Sequence, residues 1–344
     1  MRILVSALEP SANLHLDALL SELKCEINGI FDSKFGEPIV DSKEFGAMGI
    51  LGVLSKIPLA KKSMRKMLET AEKTELILLI DSPAFNIPLA KEIKAKFPQK
   101  KIIYYILPKV WAWKKNRIAV VEKYTDIQAA IFPFETMWWQ NAVFVGNPLM
   151  KEIKTFNDNV TNEEIYSFLP GSRAGEIRRL TPIFREVAAK LNGRKILVIP
   201  PYFDQSFIDN NYGDLSGFEI YKNAREALKI SKFSFVCSGT ATLEAALIGA
   251  PFVLAYRAGA LDFFIGRKFV KLPFVGLANI IFDFANLPKM HDELLQNDCT
   301  AEALLNSAKN CDKNMFLKRS FELRNMLNKS AISLTELIEN AARY

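Results

Sequence analysis

Histidine is almost missing from this chain. Only His15 and His291 occur among 344 residues, too few and too far apart for a histidine-built metal site or a His-Glu-x-x-His helix. No Asp-x-Asp and no Gly-x-x-x-x-Gly-Lys-Ser/Thr loop occurs. Holding a nucleotide through a bridging metal or a P-loop therefore has no sequence support, and the expectation is a site without metal or other cofactor. The four cysteines, Cys25, Cys237, Cys299 and Cys311, are widely separated and form no Cys-x-x-Cys; they read as reduced thiols of a cytoplasmic protein. No uninterrupted apolar run approaches the ~18 residues that a membrane-spanning helix needs. The opening run Met1 to Ser6 is too short for a secretion signal and reads as a strand. Internal repeats and low-complexity tracts are also absent.

What is present is an ordinary globular composition with 45 Lys and Arg against 38 Asp and Glu, a net charge of +7. That excess suits an anionic substrate or an anionic membrane surface and does not by itself indicate nucleic acid. The length exceeds one comfortable core, so two domains are expected. The pattern agrees, with two successive series of apolar strands alternating with helices. The first has strands at 2–8, 28–32, 76–80, 101–106, 129–131 and 142–145, and a basic amphipathic helix at 64–73. The second has strands at 167–169, 195–199, 219–221, 233–237 and 252–255. Gly46, Gly49 and Gly52 follow a three-residue spacing that is not the dinucleotide fingerprint. A polar stretch, 156–162, separates the series, and the chain from 301 onward has a helical pattern throughout. The fold class is α/β: two Rossmann-like parallel-sheet domains, 1–155 and 163–300, facing a cleft, with C-terminal helices 301–344 packing back on the first domain. Ligands of such sheets bind at the carboxyl ends of the strands.

The richest segment runs from Phe233 to Tyr256. It reads as strand, tight turn, helix, turn, strand. Ser238, Gly239 and Thr240 break the first strand; Gly239 allows close backbone approach, and the free N–H groups of the helix, with Ala241 in its first turn, suit a phosphate or diphosphate. Glu244 lies one turn on, placed to accept hydrogen bonds from a ribose. The alternative is a βαβ unit in which Ser and Thr only cap the helix. A second loop of this type, Gly171, Ser172 and Arg173, follows the first strand of the second domain, with Gly171 for the turn, Ser172 as cap and Arg173 as a bidentate phosphate clamp. In the first domain Asp81 ends a hydrophobic strand, where a carboxylate serves either as general base on a hydroxyl or as a helix cap. Glu9, with Ser11 and Asn13, ends the first strand in the same way. Between Lys100 and Lys123 there are seven Lys or Arg and one carboxylate. Within this stretch Trp111, Trp113, Lys114, Lys115 and Arg117 make an aromatic–cation mixture that suits a membrane interface or single-stranded nucleic acid, or else a core with a solvated basic rim.

Several segments together resemble one family, the bacterial lipid A disaccharide synthases. They are Ser167-Phe-Leu-Pro-Gly-Ser-Arg173 and Ser238-Gly-Thr-Ala-Thr-Leu-Glu244, with Ile80-Asp-Ser-Pro-Ala-Phe-Asn86, Pro108-Lys-Val-Trp-Ala-Trp113, Phe132-Pro-Phe-Glu135 and Leu277-Ala-Asn-Ile280. They fall in the family's order over most of the chain. The resemblance implies a GT-B fold and an inverting, metal-independent transfer of diacylated glucosamine from its UDP conjugate to diacylated glucosamine 1-phosphate. The product is the β-1,6-linked disaccharide core of lipid A, and UDP is released. By motif, Asp81 matches the catalytic carboxylate and Arg173 the essential arginine, Glu9 joins them at the reacting centre, and Asn279 joins the nucleotide site. Ser11, Asn13 and the basic aromatic stretch fall to the acceptor or membrane side. The implied partners are the two acylated sugars and the anionic inner face of the inner membrane, bound peripherally; nucleic acid is not among them, and an oligomer is allowed.

Two departures stand out. The family's first loop, Gly-Glu-Ala-Ser-Gly-Asp, is here Leu8-Glu-Pro-Ser-Ala-Asn13, which removes the acid at Asn13, and the frequent Gly-His-Pro is here Gly146-Asn-Pro148. The competing readings are another GT-B enzyme, such as a UDP-N-acetylglucosamine 2-epimerase or a soluble sugar transferase, and a non-catalytic nucleotide-binding protein that docks on membranes or RNA.

Overall fold

A computed structural model describes residues 1–45, 57–159, 161, 163–259 and 272–343. Gly46, Gly49 and Gly52 lie outside the described residues. Contacts divide the chain into two units: Met1–Glu152 with Leu327–Tyr344, and Ile153–Met326.

The first unit carries β1 (Arg2–Ser6), β2 (Glu26–Phe31), β3 (Val40–Asp41), β4 (Leu76–Ile80), β5 (Lys101–Tyr105), β6 (Ile127–Ala130) and β7 (Ala142–Phe144). They form one sheet in the order β3-β2-β1-β4-β5-β6-β7, with parallel pairings. Strands buried on both faces explain the continuous apolar runs. Leu4, Ile77, Leu79, Ile102 and Tyr104 enter one core cluster. Their neighbours Ile3, Val5, Leu76, Leu78, Ile80, Ile103 and Tyr105 enter the other.

The second unit carries β8 (Ile165–Leu169), β9 (Arg194–Val198), β10 (Glu219–Tyr221), β11 (Phe233–Cys237), β12 (Phe252–Tyr256) and β13 (Glu293–Leu295). Their order is β10-β9-β8-β11-β12-β13, again parallel. Phe168, Phe184 and Phe235 pack at its centre, with the Phe168 and Phe235 rings stacked at 4.9 Å.

The C-terminal helices do not act as one block. The helix Ala301–Asn310 buries Ala301 and Leu304 in the core of the second unit. The last helix, Leu334–Arg343, buries Leu334, Leu337 and Ile338 against the core of the first unit. Chain connectivity thus closes the first unit with a segment from the far end of the sequence.

Each sheet has one point where the strand order reverses, between β1 and β4 in the first and between β8 and β11 in the second. At such a point two crossover helices leave on opposite faces, and the loops at the carboxyl ends open a crevice. Glu9 and Asp81 follow the strands of the first point, and Gly171, Arg173 and Gly239 those of the second.

Candidate active site

In the first unit, β1 and β4 are hydrogen-bonded neighbours. The chain after β1 turns at Glu9, the residue preceding the helix Pro10–Leu20, whose side chain makes no cap hydrogen bond. Beyond β4 come Asp81 and Ser82, both with left-handed backbones at φ +51° and +44°, before Pro83 starts the helix Pro83–Lys96. Burial pushes the Asp81 carboxyl above its ordinary value, while the Ser82 N–H, Lys109 and His15 pull it partly back. Glu9 is raised as well, first by partial burial and then by the charge of Asp81. The two carboxyls therefore share one site, and the opposing influences leave Asp81 with the partial burial that suits a base.

Other expected members of this site are taken up by the protein itself. Asn13 is 5% exposed. Its amide donates to Ala7 O, Glu9 O and Ser42 Oγ at 3.0, 2.9 and 3.1 Å, and its Oδ1 accepts from Asp32 N at 2.7 Å. It pins the β1 loop rather than meeting an acceptor, whereas Ser11 is exposed. Trp111 does not belong to the membrane side: it is 6% exposed, donates to Glu135 Oε1 at 3.3 Å and meets the Phe134 ring edge-on. Trp113 is 44% exposed, with Lys114 Nζ 4.3 Å and Arg117 5.7 Å from its ring. Lys115 lies 4.7 Å over Trp138. These cations sit on aromatic faces and keep their charge at the surface. Asn147 is buried, donates to Ile131 O at 3.2 Å and accepts from Leu149 N at 3.1 Å, a structural role that needs no imidazole.

Glu135 was assigned no role by sequence reasoning. It is 2% exposed and accepts from Ile131 N and Phe132 N at 3.1 Å besides Trp111. Burial raises its pKa to about 7. The signal was available: a Glu three residues after Phe132, with Pro133 between them, has the capping-box spacing.

In the second unit, β8 and β11 are neighbours, so their loops meet. Gly171 has φ +103°, and a Cβ there would lie 2.7 Å from Glu176 Oε2 and 3.0 Å from Cys237 Sγ, at the end of β11. Only glycine permits that contact between the two loops. Arg173 precedes the helix Ala174–Ala189, and no side chain caps that helix, so Ser172 is an exposed loop residue and not a cap. The Arg173 side chain is 81% exposed and donates one N–H to Glu176 Oε1 at 3.0 Å. Similarly, the residue preceding the helix Thr240–Ile248 is Gly239, with no side-chain cap; Ser238 does not fill that role. Gly239 and Thr240 are exposed, and nothing lies within 4 Å of where a Gly239 Cβ would stand. The turn thus presents open backbone N–H groups at a helix start, through Thr240 and Ala241, beside a cation.

Glu244, one turn on, is held by Arg225 Nη2 at 2.8 Å. Asn279 is 0% exposed. Its amide donates to His291 O and Glu293 Oε1 at 3.0 and 2.8 Å and accepts from Met290 N and His291 N at 2.7 and 3.2 Å. With every donor and acceptor paired, it supports the loop before β13 and does not line the nucleotide site.

A family model described as lipid-A-disaccharide synthetase matches residues 3–341. The chain belongs to this family. It is 47% identical over 317 residues to the lipid-A-disaccharide synthase of Campylobacter jejuni subsp. jejuni, covering 86% of both chains. It is 43% identical over 341 residues to that of Helicobacter pylori strain Shi470, covering 94% of both. Among solved structures, the calicheamicin glycosyltransferase CalG4 superposes with a TM-score of 0.60 at 13% identity, covering 99% of this chain and 97% of the other. The fold is GT-B, two Rossmann-like domains, and this family member is a glycosyltransferase. Among the described residues no helix is long and apolar enough to cross a membrane.

Proposed function

We propose that the chain transfers 2,3-diacylglucosamine from its UDP conjugate to the 6-hydroxyl of 2,3-diacylglucosamine 1-phosphate, with inversion. The products are the β-1,6-linked lipid A disaccharide 1-phosphate and UDP. The observation that carries the reading is the family match over nearly the whole chain, joined to a paired phosphate-type loop at the β8/β11 switch point.

The donor diphosphate takes the open N–H groups after Gly239 and the guanidinium of Arg173, which balances the charge that grows on the departing UDP. Glu244, steadied by Arg225, accepts from the ribose. Asp81 removes the proton from the acceptor hydroxyl as its oxygen attacks the anomeric carbon from the face opposite the leaving diphosphate. The oxygen–carbon bond forms, the carbon–oxygen bond to phosphate breaks, and the proton rests on Asp81. Glu9 lies beside it, its own carboxyl raised first by partial burial and then by the charge of Asp81. No metal is needed, because Arg173 and the helix start supply the countercharge.

Each buried CH₂ anchors a lipid by about 0.8 kcal/mol, so multiply acylated substrates stay in the bilayer and the enzyme works peripherally at the cytoplasmic face of the inner membrane. Trp113, Lys114, Lys115 and Arg117 serve that contact. The test is to mix purified protein with the two acylated sugars in excess EDTA and follow disaccharide and UDP. Equimolar appearance of both is expected. No disaccharide refutes the substrate assignment, and activity that only Mg²⁺ or Mn²⁺ restores refutes the metal-free site.

A further inference from the structure

Asp81 and Ser82 are two successive non-glycine residues in the left-handed region, a conformation such residues seldom adopt and hold only when the surroundings over-determine it. The surroundings here are unusually specific. The Asp81 N–H donates to Tyr105 O at 2.9 Å. The Asp81 carbonyl accepts from Tyr104 Oη at 2.7 Å and from Asn86 Nδ2 at 2.8 Å. The same Asn86 amide reaches the Ile80 carbonyl at 3.2 Å, and its Oδ1 accepts from Ser6 Oγ at 2.6 Å. Ser6, Asn86 and Tyr104 are each 0% exposed.

These groups come from three directions. Ser6 ends β1 and Tyr104 lies near the end of β5, the strands on either side of β4. Asn86 lies in the first turn of the helix that Pro83 starts. Polar groups in an apolar core weaken it unless they are paired, and here a phenylalanine and an alanine would fill the core positions of Tyr104 and Ser6 without any such demand. The polar atoms of this network lead to the two peptides that flank Asp81, Ile80–Asp81 and Asp81–Ser82.

We propose that Tyr104, Asn86 and Ser6 are positioning residues that fix the backbone of Asp81 in its left-handed turn and so fix the direction of its carboxylate. The inference rests on the reading of Asp81 as the base. A base must meet its proton within hydrogen-bond reach, and a displacement of about 1 Å can lower a rate by two powers of ten. Held on both sides, the carboxylate cannot follow the ordinary strand-to-helix path that a relaxed Asp81 would take.

The test uses Tyr104→Phe and Ser6→Ala, each alone and combined with Asp81→Asn, with thermal unfolding confirming that each protein is folded. Tyr104→Phe should lower kcat by roughly ten- to a hundredfold while leaving the donor KM within about twofold. Ser6→Ala should act in the same direction with a smaller loss. In the Asp81→Asn background, neither change should alter the residual kcat by more than about twofold, because a residue that acts through Asp81 has nothing left to position. Unchanged kcat in folded Tyr104→Phe overturns the proposal, and so do equal fractional losses in both backgrounds, the mark of a merely structural role. If Tyr104→Phe does not fold, Ser6→Ala decides by the same criteria. Failure of the underlying reading is separate and visible: Asp81→Asn alone would then keep the wild-type rate.

Discussion

Replacing Arg173 with alanine removes the one cation that the β8 loop brings to the donor diphosphate. In the resting protein its guanidinium is 81% exposed and paired with Glu176 at 3.0 Å. An exposed pair of this kind is worth about 0–1 kcal/mol, so giving it up for a phosphate costs little. A charge-assisted hydrogen bond contributes about 1.5–3 kcal/mol, and a bidentate clamp makes two. Subtracting the lost pair leaves about 2–6 kcal/mol, which is roughly one and a half to four powers of ten in rate at 1.4 kcal/mol per decade. We expect kcat/KM to fall by that factor, and lysine, which keeps charge but not the fork, to recover only part of it.

The structure also predicts a side effect that must be separated from catalysis. Glu176 is 8% exposed and lies against Gly171, so alanine at 173 takes from this carboxylate the cation paired with it, and the melting temperature should drop slightly, by no more than the ~0–1 kcal/mol of the pair implies. Adding Glu176→Gln to Arg173→Ala should restore the melting temperature but not the rate. Steady-state kinetics with the UDP-sugar, calorimetric UDP binding and thermal unfolding read the three effects. Arg173→Ala with near wild-type kcat/KM would refute the reasoning. A double variant that regains the rate would also refute it, since the loss would then lie in loop structure and not in the missing charge.

Asp81→Asn should lower kcat at least about a hundredfold with UDP affinity unchanged; because burial raises the Asp81 pKa, wild-type activity should be lost as pH falls at values above an ordinary aspartate's, and a loss of UDP affinity together with rate would make Asp81 a binding residue instead. Glu135, with an ordinary value of 4.5 raised to about 7, binds its proton more tightly folded than unfolded. Its contribution to stability is fully present below pH 4.5 and is lost as pH rises through 7, by ~3 kcal/mol at most; denaturation of wild type against Glu135→Gln between pH 4.5 and 8 should show this divergence, and parallel curves would refute it. The protein should bind vesicles of anionic lipid, with partial release by salt because Trp113 adds an apolar term. Neutralising Lys114, Lys115 and Arg117 should lower both binding and activity on bilayer substrate more than activity on detergent-dispersed substrate, whereas equal loss in both would place these residues in the fold.

Strands were the most legible part of this chain. Leu76–Ile80 is an unbroken apolar run, and Phe233–Cys237 is interrupted only by the buried Ser234, because both faces of each parallel strand are covered, and the residue that ends such a run falls at the carboxyl end, where ligands bind. Asp81, Gly171, Arg173 and Gly239 could therefore be placed just beyond strand ends from the sequence alone. Less visible were β3, with two residues, and β13, three half-buried residues on the sheet edge, since neither is long enough to show a period. The first helix starts at Pro10, a residue well suited to a first helical position. Helical periodicity marked the end of the chain correctly but could not say which core each apolar face would join, so 301–344 read as one block.

Whether a polar residue at a strand end serves a ligand or the fold turns on how much of its hydrogen-bonding capacity the protein already occupies. Asn13 and Asn279 lie beside the expected sites, yet each has its amide paired on both sides, so neither has a donor N–H to offer. Arg173 makes one hydrogen bond to a side chain and leaves most of its fork in solvent. A motif fixes residue type and spacing, and both asparagines satisfy that criterion as well as the arginine does. The difference lies in partners that are distant in sequence: Asp32 and Ser42 for Asn13, and Met290, His291 and Glu293 for Asn279. Tyr104 and Asn86 carry the same logic in the other direction. They are as fully paired as the two asparagines, but the peptide they hold belongs to Asp81, so their saturated hydrogen bonds bear on chemistry at one remove. Reading function from a polar residue therefore requires following its partners until the chain of hydrogen bonds reaches either a closed loop of backbone or a group that still faces outward.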